Sequence, residues 1–159
     1  MSPLAVGDPA GPGAAELYHQ AIVAAARRAC GHGHLPSADA CIQVDNPLCG
    51  DRVSMEVKVS DGRLCGIAHQ VRGCLLCEAA ASIIAENAVG GTAEDLARVH
   101  DALCDALAHG FNAGGLPWPA LELFAPVVHH RSRHRCVTLA FEALARALAA
   151  ARAPARARD

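Results

Sequence analysis

A chain of 159 residues with 52% apolar but only 3% aromatic side chains is long enough for one domain with a real core. That core must be built from Ala, Val, Leu and Ile. Fourteen basic against sixteen acidic residues give a formal net charge of -2, and no basic stripe precedes the final tail, so nucleic acid is not an expected partner. Eight cysteines would suggest disulfides in a small secreted protein, but residues 1–15 lack a charged start and an apolar run. The expectation is a soluble, cytoplasmic protein whose thiols serve metal or sulfur chemistry. No stretch approaches the apolar length a bilayer requires, so no membrane is expected either.

Residues 1–13 are rich in Pro, Gly and Ala and are expected to be disordered. From Ala14 to Ala29 the stripe Leu17, Ala21, Ala25, Ala29 predicts an amphipathic helix, ended by Gly31. Three strands follow. Ala40 to Val44 is short; Val53, Met55, Val57 and Val59 alternate with polar residues; and Asp61-Gly62 makes a hairpin turn before Leu64 to Val71. After Gly73 the pattern turns helical, with Leu76, Ala80, Ile83 and Ile84 on one face and Gly90-Gly91 as the stop. Thr92 with Asp95 reads as a capping box for a helix whose stripe is Leu96, Val99, Leu103 and Leu107. Residues 110–119 are rich in breakers, with a short helix expected around Leu121 to Phe124. A last helix carries Val137, Phe141, Leu144 and Leu148, and residues 151–159 are expected to be a mobile tail. The order predicts an α+β domain over residues 14–150: a small antiparallel three-stranded sheet with helices packed on one face.

The chemistry concentrates in the loop Asp45-Asn46-Pro47-Leu48-Cys49-Gly50-Asp51. A thiol and a carboxylate two residues apart, hinged on a glycine, can aim at one point. Cys74 follows Gly73 at a helix start, and Cys136 holds a similar place, positions where the helix dipole favours a thiolate. Three thiols and a carboxylate can complete a tetrahedral zinc site or hold an iron–sulfur cluster. The bland alternative is that these are small buried hydrophobes, the commonest state of a free cysteine. Cys77 and Glu78, three and four residues after Cys74, are expected on the same helical face. Cys77 is then a resolving thiol, an alternative ligand or a buried neighbour. His69 reads as a structural histidine, and Cys30, Cys41, Cys65 and Cys104 as packing residues. The run His129 to His134 reads as a solvated loop, as a docking surface for an acidic partner, or as a segment that swings a histidine toward a metal.

Asn46-Pro47-x-Cys49-Gly50-Asp51, then Gly73-Cys74 with Ala79-x-x-Ser82, then Arg133-x-x-Cys136-x-x-Leu139 resembles the U-type iron–sulfur assembly proteins: IscU, the amino-terminal domain of NifU, and SufU. The long segment from Ala108 to His130 and the arginine three before the last cysteine are most similar to the SufU branch. In IscU a histidine directly precedes that cysteine; here Arg135 stands there and His134 one place earlier. The resemblance implies a cysteine desulfurase as partner, and a downstream Fe-S carrier or apo-protein as recipient. It also implies a site on Cys49, Asp51, Cys74 and Cys136 that builds a [2Fe-2S] cluster from iron and sulfur, or that holds Zn2+. In the zinc case Cys49, or alternatively Cys136, accepts persulfide sulfur. Cys77, Arg133, His134 and Glu78 stand as auxiliary candidates. On this reading the protein is a non-enzymatic scaffold, or else a zinc-dependent sulfurtransferase. Two other classes compete. A dithiol oxidoreductase would use Cys74 and Cys77, but its motif normally follows the first strand of a βαβ unit. A zinc hydrolase would need an open coordination position and a base, for which Glu78 is the nearest candidate.

Overall fold

The computed structural model describes residues 12–111 and 115–152, with side chains from residue 18 onward. The expected disorder of residues 1–13 therefore falls largely outside the described residues, as does most of the C-terminal tail. Helix α1 spans Pro12–Arg28, two residues earlier than its apolar stripe suggests. It ends where Ala29 turns left-handed (φ 44°), ahead of Gly31 (φ 79°).

The sheet has the order β1-β2-β3, from Ala40–Asn46, Asp51–Ser60 and Arg63–Arg72, all antiparallel. Each strand is longer than its apolar alternation predicts, because polar end residues such as Asn46 and Asp51 also pair across the ladder. Asp61 and Gly62 both take positive φ (53° and 76°), the mirror-image turn whose twist suits a two-residue hairpin. Alternation places Val53, Met55 and Val57 wholly inside on one face, while Arg52 and Lys58 point to solvent on the other.

Helices cover the inner face, as the alternating pattern requires. Helix α4 (His134–Arg152) lies across β1 and β2, and α2 (Leu75–Asn87) is wedged between α1 and α4. The alanines Ala79, Ala80 and Ala81 of α2 are fully buried and allow neighbouring helices to approach closely. Gly31 permits one such approach: a Cβ there would sit 2.6 Å from Ala85 Cβ. Arg28 pairs with Glu86 at 2.6 Å, tying the end of α1 to α2. Helix α3 (Ala93–His109) opens with the expected reciprocal cap: Asp95 N–H donates to Thr92 Oγ1, and Thr92 N–H to Asp95 Oδ2, each at 3.1 Å. The short helix expected near Leu121 is instead a longer run of 3-10 turns, Pro119–His129, followed by Arg131–Arg133. Pro126 lies within the run, and a proline there removes the amide an α-helix would use. Leu121, Phe124 and Val127 anchor it in the core. No described helix is long and apolar enough to cross a membrane.

Candidate metal centre

Strand register brings distant parts of the chain to one end of the sheet. Asn46 pairs with Asp51, so residues 47–50 form a tight connection in which Gly50 N–H donates to Asn46 O at 2.8 Å. Leu48 N–H donates to Asn46 Oδ1 at 3.2 Å, and Gly50 at φ 78° completes the reversal. The connection leaves Cys49 exposed at its tip and Asp51 pointing inward, only 4% exposed. Because Arg52 pairs with Arg72, the end of β3 and the start of α2 arrive beside Asp51. Its Oδ1 accepts from Cys74 N–H at 3.1 Å, and the carboxylate fills the space over Gly73, where a Cβ would meet Oδ1 at 2.5 Å. Helix α4, crossing the same end, supplies Cys136.

Two groups of potential donors result, each with its ligand atoms within 4.8 Å of one another: Cys49, Asp51 and Cys136; and Asp51, Cys74 and Cys77. Asp51 belongs to both. All eight cysteines are free thiols. Cys77 is fully buried, with Sγ 3.1 Å from Asp51 Oδ2 and 3.0 Å from the carbonyl oxygen of Cys136. Cys74 is the N-cap of α2 with extended backbone (φ -78°, ψ 169°), so helical spacing starts only after it. Glu78 is consequently turned away from the donors, despite standing four residues after Cys74. It is exposed and lines a small cavity with Ala26, Ala29, His32, His69 and Val71.

The electrostatics separate the thiols. Hydrogen bonding from Cys77 pulls Cys74 down to about 6 against the opposing effect of burial, so its thiolate is available near neutral pH. Cys77 is pushed up, first by its bond to Cys74 and then by burial. Cys136 also moves up rather than ionising readily, contrary to the helix-start expectation. Burial is the main cause, and its neighbours Cys74 and Asp51 add to it. Burial alone would raise the Asp51 carboxyl, but hydrogen bonds from Cys77, Cys49, Cys74 and Cys136 outweigh it and hold the group below its ordinary value.

A buried carboxylate needs a cation or several donors. Asp51 has donors but, among the described residues, no cationic side chain in an ion pair with it. Thiols around one carboxylate suit a thiophilic ion or an iron–sulfur cluster, so this donor chemistry fits either group.

The remaining candidates lie apart. His134 opens α4, its ring nitrogen bonded to the carbonyl oxygens of Val127 (2.9 Å) and Val128 (3.2 Å), and Arg133 is exposed on the turn before it. Neither belongs to a donor group. Arg135 pairs with Glu142 at 3.0 Å. His69 is buried, with Nε2 2.6 Å from Cys30 O; its Nδ1 has no partner. Cys41, Cys65 and Cys104 are exposed rather than packing residues; Cys41 and Cys65 stand at outward-facing positions of β1 and β3. A larger groove of about 310 Å³ between α3 and α4 is lined by Leu96, His100, Phe141 and Leu148 and holds none of the donors.

A family model described as the NifU-like N-terminal domain matches residues 17–110. That span contains Cys49, Asp51, Cys74 and Cys77 and stops short of Cys136. The iron-sulfur cluster assembly scaffold protein IscU of Streptococcus pyogenes serotype M1 is 29% identical over 132 residues, covering 83% of this chain and 82% of that protein. Among solved structures, a NifU-like protein (N-terminal) from Brucella abortus superposes with a TM-score of 0.76 at 29% identity, covering 86% of this chain and 94% of that one. A protein of Fervidobacterium islandicum described as a putative iron-sulfur cluster assembly scaffold protein for the SUF system gives a TM-score of 0.72 over 81% of this chain and 94% of that one; at 20% identity it speaks for the fold alone. With more than half of its length under one family model and its architecture shared with the Brucella domain, the chain belongs to the NifU-like N-terminal domain family.

Proposed function

We propose that this protein is an iron–sulfur cluster assembly scaffold that takes sulfur from a cysteine desulfurase and builds or relays an Fe-S cluster at Cys49, Asp51, Cys74 and Cys136. One observation carries the reading: an exposed thiol, a part-buried thiol and a buried thiol converge on one buried carboxylate. Eight free thiols also agree with a reducing compartment such as the cytoplasm.

The exposure gradient suggests a division of labour. Cys49 stands at the tip of its connection beside Leu48, which is 94% exposed, so a partner's persulfide can reach it. Its thiolate attacks the outer persulfide sulfur, a new S–S bond forms on Cys49, and the donor cysteine leaves as thiolate. Asp51 keeps one arm of the site an oxygen donor, weaker than sulfur toward thiophilic ions, so cargo can leave without unfolding the chain. The recipient is a downstream Fe-S carrier or apo-protein.

A second reading, a zinc-dependent sulfur acceptor like those of the SufU branch, is favoured by the same exposed Cys49. In that case Zn2+ would be held by the same four residues and would stabilise their thiolates. Mixing the purified protein anaerobically with a desulfurase, cysteine and iron separates the two. A cluster absorption spectrum that disappears in Cys74→Ser supports the scaffold. Zinc in the protein as purified, with persulfide mapped to Cys49 and no cluster formed, supports the acceptor. Neither cluster nor persulfide would refute both.

A further inference from the structure

Five potential donors fall in two triads that share Asp51, a tetrahedral ion takes four, and Cys77 has no task in the function proposed above. Cys77 belongs to the buried core, yet its Sγ also lies against Asp51 Oδ2 (3.1 Å) and the carbonyl oxygen of Cys136 (3.0 Å), with no exposure to solvent. Its ligand atom is within 4.8 Å of those of Asp51 and Cys74. The Asp51 carboxylate is the donor with the weakest claim: Oδ1 is already engaged by the Cys74 amide, and oxygen is the poorer partner for a soft ion.

We propose that Cys77 is a fifth ligand, which takes the fourth coordination position whenever Asp51 gives it up, so that the centre alternates between a Cys49, Asp51, Cys74, Cys136 set and an all-thiolate Cys49, Cys74, Cys77, Cys136 set. This inference rests on the metal-centre reading and deepens it. The exchange balances: the ion takes the place of the Cys77 thiol proton, which passes to water, and Asp51 withdraws as a carboxylate. The oxygen-containing set releases its ion readily and the all-sulfur set retains it.

The test uses Co2+ as probe on the anaerobic full-length chain, reading the sulfur-to-cobalt charge-transfer band and the affinity by competition with a chromophoric chelator. Asp51→Ala is expected to bind one Co2+ with a band about one third stronger than that of a three-sulfur site, as four tetrahedral sulfur ligands require. Asp51→Ala/Cys77→Ser should fall back to the three-sulfur intensity and bind at least about tenfold more weakly than Asp51→Ala, since loss of even an outer-shell partner costs about that much. Identical bands and affinities in these two variants would overturn the proposal. The band of Asp51→Ala alone decides the matter without altering Cys77: no increase over wild type counts against it. The underlying reading is tested separately by Cys49→Ser and Cys136→Ser. If these leave cobalt binding untouched, the centre itself is wrong, whatever Cys77 does.

Discussion

Replacing Gly73 by alanine tests whether the Asp51 carboxylate is held as tightly as the structure indicates. The added Cβ would fall 2.5 Å from Oδ1, 2.7 Å from Cγ and 3.0 Å from Cβ of Asp51, about 1 Å inside an ordinary carbon contact. Since Gly73 is not among the positive-φ glycines, the backbone tolerates alanine, and chain entropy alone would make the change stabilising by about 0.4–1 kcal/mol. The carboxylate, however, must retreat and lose its 3.1 Å bond from the Cys74 amide. Hydrogen bonds to charged groups contribute about 1.5–3 kcal/mol, and overpacking costs about 1–3 kcal/mol. These two costs are alternatives rather than a sum, since the retreat relieves the overpacking, so the net expectation is a loss of about 2 kcal/mol, or roughly 4–8 °C in Tm for a chain of this size, together with weaker metal binding. Urea unfolding and thermal melts of the metal-free protein provide the measurement. Gly66→Ala is the control: its Cβ finds only ordinary contacts, 3.4 Å to Lys58 and 3.6 Å to Leu35. If Gly73→Ala melts with or above Gly66→Ala and binds metal like wild type, the carboxylate is not pinned and the reasoning fails.

Gly31→Ala should be more damaging, by about 2–4 kcal/mol, because it combines a left-handed backbone with a 2.6 Å clash against Ala85. Pairing it with Ala85→Gly should recover only part of the loss in a denaturant titration, and full recovery would show that the backbone term is absent. Thr92→Ala removes the reciprocal cap of α3 and should lower stability by about 1 kcal/mol, read as a shift in the urea midpoint at unchanged slope. Burial is the main influence pushing His69 below its ordinary value of 6.5. The unfolded chain therefore takes up the proton first: the neutral buried form contributes fully above about pH 6.5, and its contribution is lost as pH falls through the folded value. Stability of the wild type should decline with acid over that range more steeply than that of His69→Gln, and equal slopes would refute the assignment.

Features encoded by near neighbours are readable from the residues alone. Val53, Met55, Val57 and Val59 announce a half-buried strand, Asp61-Gly62 its turn, and Thr92 with Asp95 the start of α3. What tertiary packing decides is not readable in this way. Cys77 and Glu78 look equivalent by helical spacing, yet the extended backbone of Cys74 shifts the phase, sending Cys77 to Asp51 and Glu78 to the cavity beside His69. Cys136 looks ionisable at a helix start until burial, and then the neighbouring Cys74 thiol and Asp51 carboxylate, push it up. Cys41 was legible in principle, since counting by two from Ile42 and Val44 turns it outward; Cys65 was not, because counting by two from Ile67, His69 and Val71 turns it inward, and a register shift at Lys58 and Val59 moves it out. The 3-10 run around Phe124 had only Pro119 and Pro126 as signals, and these suggest a broken helix without fixing its length.

At the start of α2 the N–H of Cys74 finds its acceptor on a different element, the Asp51 carboxylate of β2. That amide is therefore a natural reporter of ligand exchange, visible to isotope labelling. While Asp51 stays in place its proton is shielded from deuterated solvent; each withdrawal of the carboxylate frees it for an instant. The rate at which this single backbone position exchanges would time the opening of the centre, with no dye or spectroscopic metal attached.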